Sequence, residues 1–263
     1  MLRKLFLGSA VLLAACVSAV GTGRLEGYRS LNSTAHGYKI VDDVVRAGSK
    51  SQRFEVRAGD CDASSDWSDC DNDRERSEIS LRRWWGYGSD VWIGFSVYLS
   101  ESFETSSHVR TTVGQIHQRG GPSGVAGGLP ADFPLMQMEM LGNRYFMRVH
   151  LLSGASDRVQ ADVVDFNLIN ISEMRGNWTD IFINFNTENG EEMIEAYVNG
   201  RRKARYENWI EFIPSEYYFK YGIYRSFVSR HGKPMPTQVL YVDEVRMGTS
   251  MQSVMVNEQR PVD

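Results

Sequence analysis

Period-two alternation of side-chain type is the feature that most restricts how this chain can fold. The odd-numbered residues from Val91 to Leu99 are branched aliphatic residues and a phenylalanine, whereas the residues between them are of mixed type. Since successive side chains of a strand point to opposite faces, this pattern predicts a strand with one face in a core. No long stretch keeps the 3.6-residue period of a helix, so we expect an all-β protein.

Turn residues divide the chain into many short strands. Gly142-Asn143 separates strands predicted at 135–141 and 144–151, Asn189-Gly190 separates 180–186 from 192–198, and Asn199-Gly200 starts the next turn. Asn-Gly pairs favour tight hairpins because both residues tolerate a positive φ. Further strands are predicted at 38–45, 53–57 and 241–246. Short strands with glycine-rich turns predict a sandwich of two sheets, and 263 residues are enough for one such domain.

The N-terminus has the pattern of an export signal. Basic residues at positions 3 and 4 precede an apolar run from 5 to 15, which is shorter than the ~20 residues of a membrane span. Leu13-Ala14-Ala15-Cys16 resembles a bacterial lipobox, in which Cys16 becomes the lipidated first residue; cleavage after Ala19 is the alternative. Both predict an exported protein, either in the periplasm or held at the outer membrane by a lipid anchor only.

These signals divide the chain into four parts. We predict a signal peptide at 1–15, a tether at 16–37, one folded domain at 38–250 and a C-terminal tail at 251–263. The segment before residue 38 is rich in glycine, serine and threonine, a composition typical of a flexible tether.

Two cysteines remain beyond the signal region, Cys61 and Cys70. In an oxidising compartment we expect them to form a disulfide, which would contribute roughly 2.5–3 kcal/mol for so short a loop. The loop around them, residues 60–73, holds six aspartates (Asp60, Asp62, Asp66, Asp69, Asp71 and Asp73). It lacks the spacing of an EF-hand, so we predict a solvated loop fixed by the disulfide, with a structural calcium site as the alternative.

The stretch Tyr218–Tyr224 reads as a strand with a polar and an apolar face, because aromatic and branched residues dominate it. Alternation places Tyr218, Lys220, Gly222 and Tyr224 on one face, with Gly222 leaving room for a ligand, and Phe219, Tyr221 and Ile223 on the other, toward a core. An amphipathic strand with a solvated polar face is the alternative to a binding site.

Two earlier strands carry matching polar faces. Gln115 and His117 share one face while Ile116 points inward. Farther upstream, one face carries Arg74, Arg76 and Glu78, with Arg82 in phase. We interpret Glu78 as a carboxylate that orients Arg76.

Together, an Arg-Ser-Glu strand, a Gln-x-His strand and a Tyr-Phe-Lys-x-Gly-x-Tyr strand resemble the alginate-lyase, glucuronan-lyase and heparin-lyase-I group of polysaccharide lyases. The resemblance extends from about Phe54 to Gly248, and the late motif is its most specific part. It implies a β-jelly roll of two curved antiparallel sheets, concanavalin-like, with the substrate in the concave face. It also implies that Tyr224 is the catalytic acid or acid–base, with Gln115 and His117 working beside it.

Cleavage of a uronic-acid polymer by β-elimination requires groups that match these residues. Gln115 and Arg76 can neutralise the substrate carboxylate, and His117 can be the base or a carboxylate partner. Tyr224 needs nearby cations to depress its pKa before it can act as a base, and Lys220 is the expected cation. We expect substrate contacts from Lys220, Arg74, Arg82, Arg119, Tyr218 and Arg225. The reaction requires no cofactor.

The substrate and the stereochemistry stay open at this point. In glucuronate or mannuronate the C5 hydrogen and the leaving oxygen lie on the same side, so Tyr224 could be both base and acid. In iduronate or guluronate they lie opposite, and His117 would be the base. We expect a monomer acting on an anionic polysaccharide such as glucuronan, alginate or a heparin-like chain. A net charge of −4 argues against nucleic acid as the main partner.

Further predictions concern the surroundings of this set. The glycine-rich stretch 119–130 is either a flap over the cleft or a connector, and Trp84, Trp85 and Tyr87 either stack on sugars or pack in the core.

The alternative function is a non-catalytic glycan-binding module of an envelope lipoprotein. A retaining glycosidase is less consistent, because the Glu-x-Asp-x-x-Glu strand of jelly-roll glycosidases is absent.

Overall fold

The computed structural model describes residues 24–65, 67–119, 134–153, 160–188, 190–207 and 216–263. In chain order the strands are β1 (Gly27–Ser30), β2 (Tyr38–Val41), β3 (Ser51–Val56), β4 (Arg74–Gly86), β5 (Asp90–Leu99), β6 (Arg110–Arg119), β7 (Met136–Leu141), β8 (Arg144–Ser153), β9 (Gln160–Asn170), β10 (Trp178–Asn186), β11 (Met193–Val198), β12 (Arg201–Glu207), β13 (Glu216–Ser226) and β14 (Gln238–Gly248). Two one-turn helices, α1 (Ile171–Met174) and α2 (Met251–Val254), and a 3-10 turn at Val228–His231 complete the described elements.

The strands form two antiparallel seven-stranded sheets. The first sheet has the order β1-β4-β13-β6-β7-β8-β9, and the second has the order β12-β11-β10-β5-β14-β3-β2. This is the jelly-roll sandwich implied by the sequence motifs. Among the described residues, no helix is long and apolar enough to cross a membrane.

The inward face of β13 fills the space between the sheets, as its alternation predicts. Phe219, Tyr221 and Ile223 are all buried. The Phe219 ring lies 5.4 Å from that of Phe95 on the second sheet, and the Tyr221 ring lies 5.8 Å from that of Phe54. Each such buried side chain contributes roughly 1.5–3 kcal/mol through the hydrophobic effect, so this face anchors the strand and leaves the other face available.

Gly222 differs from its predicted role. Its φ is +134°, a region that side-chain-bearing residues rarely adopt, and a Cβ there would collide with the Ser77 carbonyl and the Phe54 ring. The pairing of β13 with β6 is also irregular between Tyr221 and Tyr224. The glycine is therefore required by the close approach of β4, and it does not open space for a ligand.

Parts of the predicted tether and of the predicted tail belong to the fold. Residues 27–30 of the predicted tether form β1 and pair with β4. In the predicted tail, Val254 and Val262 are buried, and the Asp263 carboxylate accepts hydrogen bonds from the backbone of Ser49 and Lys50. For these residues the tether and tail predictions are wrong, because each segment buries apolar surface or completes a sheet edge.

The acidic loop is closed by the predicted disulfide. Cys61 and Cys70 are bonded, with their Cα atoms 5.1 Å apart. Asp69, next to Cys70, is fully buried. Asp66 lies outside the described residues, and among the others no group of three or more His, Cys, Asp or Glu side chains is arranged to hold a metal ion. Calcium binding by this loop stays a prediction.

Candidate active site

The outer face of the first sheet carries the candidate site. Residues directly opposite each other in neighbouring antiparallel strands point to the same face. Tyr218 lies opposite His117, Lys220 opposite Gln115, and Tyr224 opposite Arg76. A cavity of about 490 Å³ lies over these pairs, and its lining includes Arg74, Arg76, Gln115, His117, Tyr218, Lys220 and Tyr224. These side chains therefore converge on one groove.

The disulfide-closed acidic loop, residues 60–73, holds the side chain of Arg76 in place. Its Nε lies 2.5 Å from Asp69 Oδ2 and its Nη2 lies 2.6 Å from Asp69 Oδ1. Trp67, also in the cavity lining, donates from Nε1 to the same carboxylate at 2.9 Å. Sequence reasoning assigned the orienting role to Glu78 alone. The Asp69 contact was missed because nothing in the sequence around Asp69 shows which distant side chain its carboxylate meets.

Glu78 connects three members of the predicted set. Its Oε1 accepts a hydrogen bond from Gln115 Nε2 at 2.5 Å, and its Oε2 lies 2.5 Å from Lys220 Nζ and 3.4 Å from Arg76 Nη1. The side chain is only 2% exposed, so it is shielded from solvent while it holds an amide and two cations in place. Glu78 therefore orients Gln115 and Lys220 more closely than it orients Arg76.

Tyr224 is surrounded by arginines. Arg74 Nε donates to its hydroxyl at 3.1 Å, and the guanidinium carbon of Arg76 lies 4.3 Å from its ring centroid. Burial raises the pKa of Tyr224 and outweighs the opposing effect of Arg76 and Arg74. The expectation that Lys220 would depress this pKa is wrong, because Lys220 is paired with Glu78. The phenol therefore keeps its proton at neutral pH.

His117 is uncharged at neutral pH. Burial lowers its pKa to about 4, and Lys220 adds to the effect. Its ring stacks on Tyr218 with centroids 5.4 Å apart. Nδ1 lies 3.0 Å from the backbone nitrogen of Gln118 and 3.2 Å from its carbonyl oxygen. The tautomer with its proton on Nδ1 donates to that oxygen and leaves Nε2 as a base. The other tautomer accepts from the nitrogen and makes Nε2 a donor.

Two predicted contact residues, Arg225 and Arg82, are not part of the cavity lining. Arg225 is fully buried on the opposite face of β13, where it pairs with Glu75 at 2.5 Å and donates to the carbonyls of Arg57 and Pro236. Its assignment to substrate binding is wrong. Arg82 is exposed and lies over Tyr28 at the sheet edge, 5.5 Å from the ring centroid. The side chain of Arg119 and the stretch 120–133 lie outside the described residues.

The three aromatic residues after Arg82 separate into different roles. Trp85 packs in the core, 6.1 Å from Tyr217 between ring centroids. Trp84 is 46% exposed and lies opposite Tyr218, so it shares the face of the candidate site. Tyr87 donates from its hydroxyl to Glu192.

Sequence reasoning missed a polar group on the far side of the same cavity. Gln137 and Glu139 of β7, Arg110 of β6 and His150 of β8 line it. A signal for two of them was present: Gln137 and Glu139 alternate with Met136, Met138 and Met140, which are buried in the core. Period two therefore predicts that both polar side chains share the outer face.

Solved structures with the same fold include lyases. The endo-β-1,4-glucuronan lyase of the fungus Trichoderma reesei superposes with a TM-score of 0.66 at 17% identity, covering 86% of this chain and 92% of that chain. The family 7 alginate lyase AlgAT5 gives 0.53 at 17% identity, covering 82% and 83%. The alginate lyase A1-II', solved with a product, gives 0.54 at 15% identity, covering 82% and 85%. No curated protein sequence matches the chain.

The sequence itself supplies the assignment. Residues 20–246 match the family described as "Polysaccharide lyase". This region includes both sheets up to β14 and every residue of the candidate site. The chain therefore belongs to the polysaccharide lyase family.

Proposed function

We propose that this lyase cleaves a polymer of uronic acids by β-elimination and leaves an unsaturated uronate at the new chain end. The observation that carries the proposal is the shared cavity of a carboxylate-binding group, Gln115 with Arg76, and two proton-transfer groups, His117 and Tyr224. The similar structures include lyases named for glucuronan and for alginate, which are both uronate polymers.

The first step would neutralise the substrate carboxylate. Gln115 uses one N–H to reach Glu78, and its amide nitrogen has a second N–H for the substrate. Three cations, Lys220, Arg76 and Arg74, line the cavity around Gln115. Two of them are paired with buried carboxylates, Lys220 with Glu78 and Arg76 with Asp69. Pairing the carboxylate with these groups makes the C5 proton of the sugar more acidic.

The second step would remove that proton and break the glycosidic bond. The C5–H electron pair forms the C4–C5 double bond, and the bond from C4 to the glycosidic oxygen breaks. The C5 proton goes to His117 Nε2 in the tautomer that leaves Nε2 as a base, or to Tyr224 when the C5 hydrogen and the leaving oxygen lie on the same side. A bound carboxylate near His117 raises its pKa from about 4 toward neutrality and strengthens it as a base.

The departing oxygen would receive a proton from Tyr224. Burial raises the pKa of this phenol, so it is protonated at neutral pH. Arg74 donates to its oxygen at 3.1 Å, and this cation stabilises the phenolate that is left after the transfer. The reaction as written uses no metal or redox cofactor.

The decisive experiment is a panel of polysaccharides with the purified protein. Unsaturated uronates absorb near the ultraviolet edge, and the panel would include glucuronan, mannuronate-rich and guluronate-rich alginate, and a heparin-like chain. We expect absorbance to rise with at least one uronate polymer and not with a neutral glucan. Binding of uronate polymers without any cleavage would contradict the proposal and favour a glycan-binding module.

We also propose that the protein acts as a monomer outside the cytoplasm. The apolar N-terminal run and Cys16 in the lipobox-like motif support export, and the Cys61–Cys70 disulfide is typical of an oxidising compartment. Mass spectrometry of the mature N-terminus would separate lipidation of Cys16 from cleavage after Ala19, and size-exclusion chromatography would test the oligomeric state.

A further inference from the structure

A second charged cluster lines the cavity on the side of β7 and β8. Arg110 Nε lies 3.5 Å from Glu139 Oε1, and Arg148 Nη1 lies 3.6 Å from Glu139 Oε2. Thr112 Oγ1 donates to Glu139 Oε1 at 3.4 Å. These contacts are longer than the 2.5–2.6 Å hydrogen bonds that join Arg76, which also lines the cavity, to Asp69. The cluster is therefore loosely joined, unlike the first one.

Of the two arginines, Arg110 is the one that is available to a ligand. Arg148 is held by Asp165, with Nε and Nη2 at 2.8 and 2.7 Å from its two carboxylate oxygens. Among the described residues, the ion pair of Arg110 is the single 3.5 Å contact with Glu139. Its side chain is 31% exposed and lines the cavity. Burial lowers the pKa of Arg110 and Arg148 adds to this, so an anion would stabilise the charged guanidinium.

The Oε2 atom of Glu139 has the 3.6 Å ion contact with Arg148 but lacks a hydrogen-bond donor among the described residues. The residue is 2% exposed. A buried carboxylate oxygen without a donor is costly. Burial also raises the pKa of Glu139. A sugar hydroxyl that donates to Oε2 would remove this cost.

Strand pairing gives the spacing between the two clusters. Thr112 lies opposite Tyr224, and Glu139 lies opposite Thr112. Neighbouring strands are ~4.8 Å apart, so the backbones of Tyr224 and Glu139 are separated by two strand spacings. Arg110 lies opposite Ser226, two residues from Tyr224 on β13. A sugar next to the one being cleaved would lie over this second cluster.

We propose that Arg110 and Glu139 form a second uronate subsite, in which Arg110 binds the carboxylate of the neighbouring sugar and Glu139 accepts from one of its hydroxyls. That this sugar adjoins the cleaved one rests on the proposed function. The consequence is a preference for chains with consecutive uronates. A chain in which every second sugar is uncharged would leave Arg110 without its anion.

The subsite is tested by binding, so that the result does not depend on turnover. Titration calorimetry would use a saturated oligosaccharide of consecutive uronates with the Tyr224→Phe protein and with Tyr224→Phe carrying Arg110→Ala or Arg110→Gln. We expect about a tenfold loss of affinity in both arginine variants, the scale of one charge-assisted contact. Arg201→Ala in the same background removes an exposed arginine from β12 on the other sheet and should leave the affinity unchanged.

A change in the ligand gives a second arm that needs no new variant. The same oligosaccharide with some carboxyl groups reduced to alcohols should bind the Tyr224→Phe protein more weakly, and Arg110→Ala should lose less affinity for it than for the intact ligand. Equal affinities for the Arg110 variants and their parent would overturn the subsite. If the parent protein cleaved no uronate polymer while binding still depended on Arg110, the subsite would stand and the proposed uronate-lyase function would be refuted.

Discussion

The guanidinium of Arg76 lies 4.3 Å from the centre of the Tyr224 ring, and both oxygens of Asp69 hold it there. A cation that can meet the substrate carboxylate is thereby fixed against the phenol that would protonate the leaving oxygen. The loop that supplies Asp69 is closed one residue later by Cys70. The disulfide loop thus acts as a support for the site, although it lies outside the three motifs.

Removing the Tyr224 hydroxyl should stop turnover and preserve the fold. Tyr224→Phe keeps the ring that contacts Arg76 but removes the proton donor, so we expect turnover to fall by ~10²-fold or more. Binding should persist, because Gln115 and Arg76 are unchanged. The measurements are product absorbance, a melting curve and a binding titration. Tyr241→Phe on the second sheet is the matched control, and a Tyr224→Phe protein that cleaves at the parent rate would contradict the assignment.

Asp69 should matter for both stability and turnover. Asp69→Asn leaves Arg76 with an uncharged partner at a fully buried position, and we expect a loss of roughly 3 kcal/mol in the free energy of unfolding. Turnover should drop about tenfold because Arg76 is no longer fixed over Tyr224. Kinetics below the melting temperature separate the two effects. If the folded variant keeps the parent turnover, Asp69 is structural only.

Opening the disulfide should weaken the same support. Cys61→Ser with Cys70→Ser should lower the free energy of unfolding by roughly 2.5–3 kcal/mol through loop entropy. We also expect lower turnover by the folded fraction, since Asp69 is then held less firmly. Denaturant titrations of the parent with and without reductant, and of the double variant, check the first effect. Unchanged activity in the folded double variant would show that the loop supports stability alone.

The histidines of the cavity should make stability depend on pH. Burial lowers the pKa of His117 and of His150 to about 4, against ~6.5 in an unfolded chain. Between these values the unfolded chain binds more protons, so the free energy of unfolding falls as pH drops from about 6.5 to about 4. Asp243 acts oppositely, since burial raises its pKa to about 6 and protonation then favours the folded state. Denaturant titrations across this range would measure the sum.

Two variants separate these contributions. His117→Asn should flatten the loss of stability toward acid, whereas Asp243→Asn should steepen it, because it removes the opposing group. A His117→Asn protein with the pH dependence of its parent would show that His117 keeps an ordinary pKa in the fold.

His117→Ala should in addition cripple turnover, whichever stereochemistry applies.

Arg225 and Arg82 should behave differently from groove arginines. Arg225→Ala leaves Glu75 buried without its cation, and we expect a loss of roughly 3–5 kcal/mol in the free energy of unfolding. Arg82→Ala removes an exposed cation over Tyr28 and should change stability by less than about 0.5 kcal/mol. Melting curves and binding titrations on both variants check this. A stable Arg225→Ala protein with weakened polysaccharide binding would restore Arg225 to the site.

The sequence by itself determined the all-β class and which side chains share a strand face. Period two is a local property of the backbone, so Tyr218, Lys220 and Tyr224 could be assigned to one face and Phe219 to the core before any contact was known. The same rule places Arg225 on the inward face. Arg225 was nevertheless predicted to contact substrate, because its positive charge matches an anionic polymer. The cysteine pair could also be predicted, because Cys61 and Cys70 are the two cysteines beyond the apolar N-terminal run.

The tertiary structure alone decided which charges meet. Asp69 and Arg76 belong to different elements, and Glu78 holds Gln115 and Lys220 from two further strands. Strand register and bulges determine such contacts. On β4, Trp84 lies opposite Tyr218 and Ser80 lies opposite Lys220, so β4 has two more residues than β13 over this stretch. The pKa of Tyr224 is raised for the same reason: burial, which depends on the whole fold, outweighs the nearby cations that the sequence could suggest.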